Sequence, residues 1–479
     1  MKRTIAFLTL LALVALPASV MAAKTGDFEL GGYIKLHTWW DSTNNVNKNI
    51  SVKGSRNNAF GAANQGKFRM TAQDTRFNFK IKGPDVWGAK TQGYIEVDFD
   101  GSGQDPEATV TYAVQPRLRH AWFRFDWPGG WQLLMGQYWG VFCNYWPDTV
   151  NSGPLFGHGM ATQRLPQIRL TYKTGPWTFI GMAGIPNDGT DNAVGPQVNV
   201  NGVPWLPGTG PYEGGRTSMP QFGLQLIFEK DLYGKAAFFS RPRGFSASVS
   251  FGVQRTKYDA GVAVGNTWGQ NNYGTTMAFV QESQTLVPWM VQASMFVPLI
   301  PTQTADLRGT ASLQLQCYVG QGLRAFGNDF LGGSNSFFVY DNFQNTGGFT
   351  NVPVYTHKLM KRYGGYIQGQ YYFNNEWYLS YVYGFAKAYG VSQDRNPLLV
   401  TAANPAGYEF ANTGDPIKFI QEHNVTLFYR PMKNFKFGLS YVYLQTDYFQ
   451  ITTVSSSQTS DGDTSLEVKD TSWRSDRDW

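Results

Sequence analysis

The residues of this chain best placed to act by charge are arginines and carboxylates at two-residue spacing. Arg117-Leu118-Arg119 sets two guanidinium groups on one face of an extended strand, because successive side chains point to opposite sides. Arg76 and Lys80 share a face in an earlier alternating run, and Arg169 lies in a later one. Glu96 and Asp98 share a face between them. Asp148 lies in an aromatic-rich segment, Gly140 to Leu165, with Phe142, Tyr145, Trp146, Asn151, Phe156 and His158. Fixed cations and anions around a wet passage set a transverse field and sort solutes by charge and width. The plainer alternative is that these Arg–acid pairs only tie neighbouring strands together; both can hold at once.

Enzyme chemistry finds little support. There is no Gly-x-Ser-x-Gly and no His-Glu-x-x-His, and the five histidines are scattered without metal-ligand spacing. No catalytic residue, cofactor or metal site is expected. Asp188-Gly189-Thr190-Asp191 and Asp461-Gly462-Asp463 could hold calcium, but ordinary turns use the same residues. Cys143 lies in a loop region and Cys317 on the apolar face of an alternating strand, so two free thiols are expected. The net charge of +6 falls to +4 without Lys2 and Arg3, too small an excess to argue for nucleic acid.

The elements that must position the charges alternate apolar and polar at every step. In Thr310 to Val319 the apolar set is Ala311, Leu313, Leu315, Cys317 and Val319; the other is Ser312, Gln314 and Gln316. Phe245 to Tyr258 reads the same way. Such a pattern fits a soluble sandwich with its apolar face in a core, or a membrane barrel with that face on lipid. Three features favour the barrel. Aromatics bracket the short turns: Trp127 and Trp131, Tyr172 and Trp177, Phe373 and Trp377. Long and short connections alternate. Ionised residues fall in mid-strand on the polar parity, as a wet lumen allows. A mean hydropathy of −0.32 is no objection, because only alternate residues would face lipid.

The expected fold is therefore all-β: a transmembrane antiparallel barrel of about 16 strands, with short periplasmic turns and long extracellular loops. The approximate spans are 28–40, 67–82, 89–100, 115–126, 131–139, 166–173, 177–184, 220–229, 245–258, 287–300, 307–319, 361–373, 377–388, 417–430, 434–449 and 468–479. Parity slips within Arg117 to Phe125, so a β-bulge is expected there. The last span carries few large apolar residues: either the barrel closes on a poor strand, or the sequence stops short of the native terminus. Residues 1–22 read as a secretory signal peptide: Lys2 and Arg3, an apolar stretch from Ile5 to Leu16, then small residues. Residues 23–479 then form one barrel domain, with 140–165 as a candidate constriction loop folded inward to bury its aromatics.

Thr75-Arg76-Phe77-Asn78-Phe79-Lys80, Arg117-Leu118-Arg119-His120-Ala121-Trp122 and Leu134-Met135-Gly136-Gln137-Tyr138-Trp139 resemble the early strands of Gram-negative outer-membrane porins of the DcaP type. The close match covers residues 67 to 142, and the remainder is similar in layout. The resemblance implies a sixteen-stranded homotrimeric porin for small hydrophilic or anionic solutes. It also implies that the segment after Trp139 narrows the pore and that Arg76, Arg117 and Arg119 line it.

The sequence thus points to a water-filled channel in the Gram-negative outer membrane. It would pass small hydrophilic solutes or ions by passive diffusion, with an anion preference. The expected pore-lining set is Arg76, Lys80, Glu96, Asp98, Arg117, Arg119, Asp148 and Arg169. A substrate-specific channel, or a barrel with an adhesion or structural role, are the alternatives. The partners expected are solutes, outer-membrane lipid and two further copies of the chain, with no nucleic acid.

Overall fold

The computed structural model describes residues 27–42, 66–101, 114–143, 145–151, 159–161, 163–186, 198–200, 203–205, 219–264, 278–327, 336–340, 344–346, 349–352, 354–391, 417–449, 453–458, 464–470 and 473–478. The proposed signal peptide, His158, Phe156 and both acidic loop pieces lie outside the described residues.

One antiparallel sheet of nineteen strands dominates. Sixteen form a continuous wall in chain order: β1 (Phe28–Tyr33), β2 (Arg76–Lys82), β3 (Lys90–Asp98), β4 (Arg117–Asp126), β5 (Trp131–Trp139), β6 (Arg164–Thr174), β7 (Trp177–Gly184), β8 (Gln221–Lys230), β9 (Phe245–Val253), β10 (Trp289–Ile300), β11 (Ala311–Gln321), β12 (Val354–Tyr372), β13 (Trp377–Val391), β14 (Ile417–Met432), β15 (Phe435–Phe449) and β16 (Trp473–Asp478). Each pairs antiparallel with the next. The other three, Thr256–Val264, Ala278–Leu286 and Ser336–Tyr340, extend the sheet beyond the wall.

The alternation decides which side faces what. Along β9, Ser246, Ser248 and Ser250 are buried, whereas Val249 is 53% exposed. Along β11, Ser312, Gln314 and Gln316 are buried and Val319 is exposed. Buried polar residues beneath an apolar surface reverse the pattern of a sandwich core. They are what a barrel shows when lipid wets its outside. The fold is a transmembrane antiparallel β-barrel.

The short turns gather at one end. At the tip after β4, the Gly130 amide donates to the Trp127 carbonyl (3.2 Å), and Gly130 takes φ 85°, which glycine adopts without a Cβ penalty. After β12, Asn374 Oδ1 accepts from the amides of Glu376 and Trp377, an Asx-type closure. Around this end the rings pair across strands: Trp131 with Tyr172 at 4.6 Å, Trp177 with Phe228 at 4.8 Å and Trp377 with Tyr429 at 4.4 Å. An aromatic girdle of this kind anchors a barrel at the membrane–water interface.

Several boundaries differ from the sequence reading. The span 28–40 is two strands: β1 pairs with β2, while His37–Asp41 pairs with Lys67–Thr71. The span 67–82 divides in the same way at 72–75, where the Thr75 amide donates to the Ala72 carbonyl in a turn. The span 245–258 breaks after Val253, and Thr256–Val264 pairs with a hairpin partner outside the wall. The final span also divides. Thr464–Asp470 pairs with Thr453–Gln458, and only β16 joins the wall, opposite Leu444–Phe449. Both cysteines are free, and Cys317 points outward among apolar neighbours.

Candidate functional site

The bulge on β4 builds the charged wall. Pairing of β3 with β4 slips between Glu96 and Val97: Glu96 lies opposite His120 and Val97 opposite Leu118, so Arg119 is the extra residue. Arg117, Arg119 and His120 therefore all turn inward while Leu118 stays on lipid.

The inward carboxylates of β3 receive these arginines. Arg117 grips Asp98 with two parallel bonds, Nε to Oδ1 at 2.9 Å and Nη2 to Oδ2 at 2.8 Å, and reaches Asp100 at 3.1 Å. Arg119 donates to Glu96 Oε1 at 2.7 Å and Asp98 Oδ2 at 2.6 Å. Arg76 approaches Glu96 at 3.5 Å from β2, and the Tyr94 hydroxyl donates to Glu96 Oε2 at 2.8 Å. Asp98 and Arg119 are almost closed to solvent, whereas the Arg117 side chain remains about one-third exposed. The charges thus pair within the cluster, as buried ion pairs require, while Arg76 Nε, 3.5 Å from Glu96, makes no hydrogen bond. Arg76, Glu96, Asp98, Arg117 and Arg119 form one cluster on adjacent strands. Within it the basic and acidic groups interdigitate rather than oppose one another across the lumen.

Three other expected pore residues lie elsewhere. Lys80 sits nearer the turn end and pairs with the exposed Glu29 at 3.2 Å. Arg169 is buried; its guanidinium donates to the Trp139 carbonyl at 3.3 Å and covers the Tyr138 ring. Asp148 is across the lumen, on the segment after β5.

That segment lies against the inner face of the far wall. Its described backbone at 141–143 and 145–151 has no ladder of its own, so its polar groups must find side-chain partners. The Val141 carbonyl accepts from Gln225 (2.6 Å) and Ser250 (2.8 Å), and the Phe142 carbonyl from Gln292 (2.8 Å). The Tyr145 carbonyl accepts from Tyr366 (3.0 Å) and the Trp146 carbonyl from Gln314 (3.2 Å). The Asp148 amide donates to Gln368 at 2.7 Å. The Asp148 carboxylate takes Tyr378 at 2.9 Å, Lys436 at 2.5 Å and Gln370 at 3.3 Å. Residues 141–148 thus contact inner side chains of β8 to β13 and β15. Glycine on the wall makes room: a Cβ at Gly223 would meet Val141 at 2.9 Å, and one at Gly252 would meet Phe142 at 2.7 Å. Phe142 then packs at 5.5 Å on Phe326, in a cluster with Met290 and Leu323. Burial pushes the Cys143 thiol in this segment up to about 12.

Other inward groups escape a search for charge motifs alone. Rings line the charged wall: Tyr94 stacks on Trp122 at 5.3 Å, Trp122 meets Tyr138 at 5.9 Å, and Trp139 meets Trp146 at 5.2 Å. Arg124 covers Trp122, and Arg164 covers Trp139 at 5.0 Å. Strand parity, read past the bulge, would have found Tyr94, Trp122 and Arg124. Lys436 carried no local signal, because its partner Asp148 is 288 residues away. Among the described residues no group of three His, Cys, Asp or Glu could hold a metal.

No family model matches the chain, and no curated protein matches it. Solved structures do. The outer membrane channel DcaP of Acinetobacter baumannii superposes with a TM-score of 0.54 at 16% identity, covering 95% of this chain and 97% of that one. OprB of Pseudomonas putida gives a TM-score of 0.43 at 10% identity, covering 94% and 93%. OmpF of Salmonella typhi, in a complex with daunomycin, gives 0.40 at 11% identity, covering 89% and 91%. Lipid-facing apolar parity, an aromatic girdle at the turn end and end-to-end likeness to DcaP agree on one architecture: the chain has the fold of a Gram-negative outer-membrane porin.

Proposed function

We propose that the protein is an outer-membrane diffusion channel for small hydrophilic solutes, narrowed by residues 140–165 and mildly selective for anions. One observation carries the reading: the inner face is split by chemistry. From β8 to β12 it offers mainly neutral Gln and Ser side chains, with Arg362 as a buried cation on β12, and the neutral groups hold the inward segment. From β2 to β6 it offers Arg76, Glu96, Asp98, Arg117, Arg119, Arg124, Arg164 and Arg169. The segment fills one side, and the charged wall bounds what is left. Arg164 and Arg169 have no carboxylate partner among the described residues, so this wall carries a surplus of positive charge.

Planar-bilayer recording tests the reading. Steady conductance steps with a reversal potential displaced toward anions in a salt gradient are expected. Absence of steps, with no swelling of solute-loaded liposomes, would leave the adhesion or structural role. The rings Tyr94, Trp122, Tyr138 and Trp139 favour a second reading, a channel that prefers ring-shaped solutes; block of ion current by such solutes distinguishes it from general diffusion. Export by residues 1–22, insertion in the outer membrane and assembly as a homotrimer belong to the same proposal. They are checked by N-terminal sequencing of the mature product, membrane fractionation and chemical cross-linking.

A further inference from the structure

The connection after β8 is the longest at the turn end among the described residues, ahead of 301–310 after β10. Between Lys230 and Phe245 it spans 231–244, where Pro128-Gly129-Gly130 or Asn374-Asn375-Glu376 suffices elsewhere at the same end. Its middle is a hairpin, Ala236–Phe238 paired with Arg241–Arg243. The hairpin is folded inside the wall. Ser312 Oγ, inward on β11, donates to the Ala237 carbonyl at 3.1 Å. Tyr372 Oη, inward on β12, accepts from the Ser240 amide at 3.1 Å. The Phe238 ring lies 5.4 Å from Phe296, inward on β10. At its base Lys235 and Thr302 exchange backbone hydrogen bonds at 2.9 and 2.7 Å.

The hairpin also meets the inward segment. Phe238 lies 6.1 Å from the Tyr145 ring, and Arg243 covers both rings, at 4.5 Å from Phe238 and 4.8 Å from Tyr145. Its tip is strained. Phe239 and Ser240 both take positive φ, 48° and 58°, the twist a two-residue hairpin needs but one that favours Gly or Asn. A phenylalanine held there, half-exposed and with its neighbour pinned by Tyr372, marks a conformation that the surroundings impose.

We propose that the hairpin is a second constriction element. It closes from the turn end the same side of the lumen that residues 141–148 close from within. Solutes then pass only along the arginine-bearing wall, and the cross-section of that path is set by two elements rather than one. This inference rests on the channel reading above.

The test compares wild type with a deletion of 235–243, which leaves a short turn between β8 and β9. In planar bilayers the single-channel conductance of the deletion variant is expected to rise roughly two-fold, with liposome swelling extended to larger solutes. Heat-modifiable migration on gels reports that the barrel has formed. Phe239→Cys supplies a second measurement: a bulky thiol reagent added to the open channel is expected to lower its current. Cys143 is half-buried with its thiol donating to the Ala161 carbonyl at 3.5 Å, and Cys317 faces lipid, so wild type treated in parallel is the control for reaction at those two thiols. A folded deletion variant with wild-type conductance would overturn the proposal. If the deletion does not fold, a labelled Phe239→Cys channel with unchanged current overturns it. A wild type that never conducts would instead overturn the channel reading.

Discussion

Asp148→Ala should loosen the inward segment without unfolding the barrel. The Asp148 carboxylate is nearly closed to solvent and accepts three bonds. A bond from a buried hydroxyl to a charged acceptor contributes about 2 kcal/mol. The 3.3 Å contact with Gln370 contributes about 0.5 kcal/mol. Lys436 is over one-third exposed, so its pairing is screened and adds about 1 kcal/mol. The loss is then about 3.5 kcal/mol, roughly a 300-fold rise in local release of residues 147–151. The wall keeps its ladders, and the carbonyls of Val141, Phe142, Tyr145 and Trp146 keep theirs, so release stays local. Single-channel recording should show frequent brief current fluctuations that wild type lacks, and hydrogen exchange should rise in 147–151 alone. Asp148→Asn keeps an acceptor for Tyr378 and should show a smaller effect. Equal noise and equal exchange in Asp148→Ala and wild type would refute the reasoning.

Arg119→Gln leaves Glu96 and Asp98 short of a partner in a buried cluster, at a cost of about 3 kcal/mol, visible as a lower heat-modification temperature. Arg117→Gln removes a partly exposed charge, costs about 1 kcal/mol, and should move the reversal potential toward cations. Val249→Lys places a charge on the lipid face of β9 and should cost about 2–4 kcal/mol, read as poor refolding into vesicles with normal expression. Alkylating reagents at neutral pH should leave Cys143 untouched in the folded protein, because its thiol stays protonated, and mass spectrometry should find it modified only after denaturation.

Most of the wall was legible because a barrel repeats one simple rule. Side-chain alternation recovered Trp177–Gly184 and Trp131–Trp139 at their observed ends, and the slip in Arg117 to Phe125 pointed to the bulge. The rule fails where the chain leaves the sheet without losing its alternation. Phe28 to Trp40 keeps strand-like residues throughout, yet the break at Ile34–Leu36 is set by which partner each half finds, not by its own pattern. Thr256–Val264 likewise alternates like a wall strand but pairs along its length with Ala278–Leu286, meeting the wall at Val354 and Tyr355 of β12. Charged pairs on neighbouring strands were legible, since β3 and β4 are close in sequence. Asp148–Lys436 and Tyr145–Ser246 were not, because nothing local marks a partner 288 or 101 residues away.

The neutral side chains carry a lesson about how such a lumen is built. Gln225, Gln292, Gln314 and Gln368 look in sequence like generic pore-facing residues, interchangeable with Ser or Thr. In the structure each bonds to the backbone of residues 141–148, a segment without regular hydrogen bonding that could not otherwise be buried. Glutamine suits the task because its amide can donate to a carbonyl, as at Gln225, Gln292 and Gln314, or accept from an amide, as at Gln368, and it carries no charge that would need pairing. Ionised residues are few on that side, where Arg362 lies buried on β12 and Lys436 pairs with Asp148, because each needs a counter-charge that a carbonyl does not supply. They collect instead on β2 to β6, where neighbouring strands bring arginine and carboxylate together. The division of the inner face into a neutral half and a charged half therefore follows from the need to seat one loop. Whatever selectivity the channel has is then placed on the half that remains open.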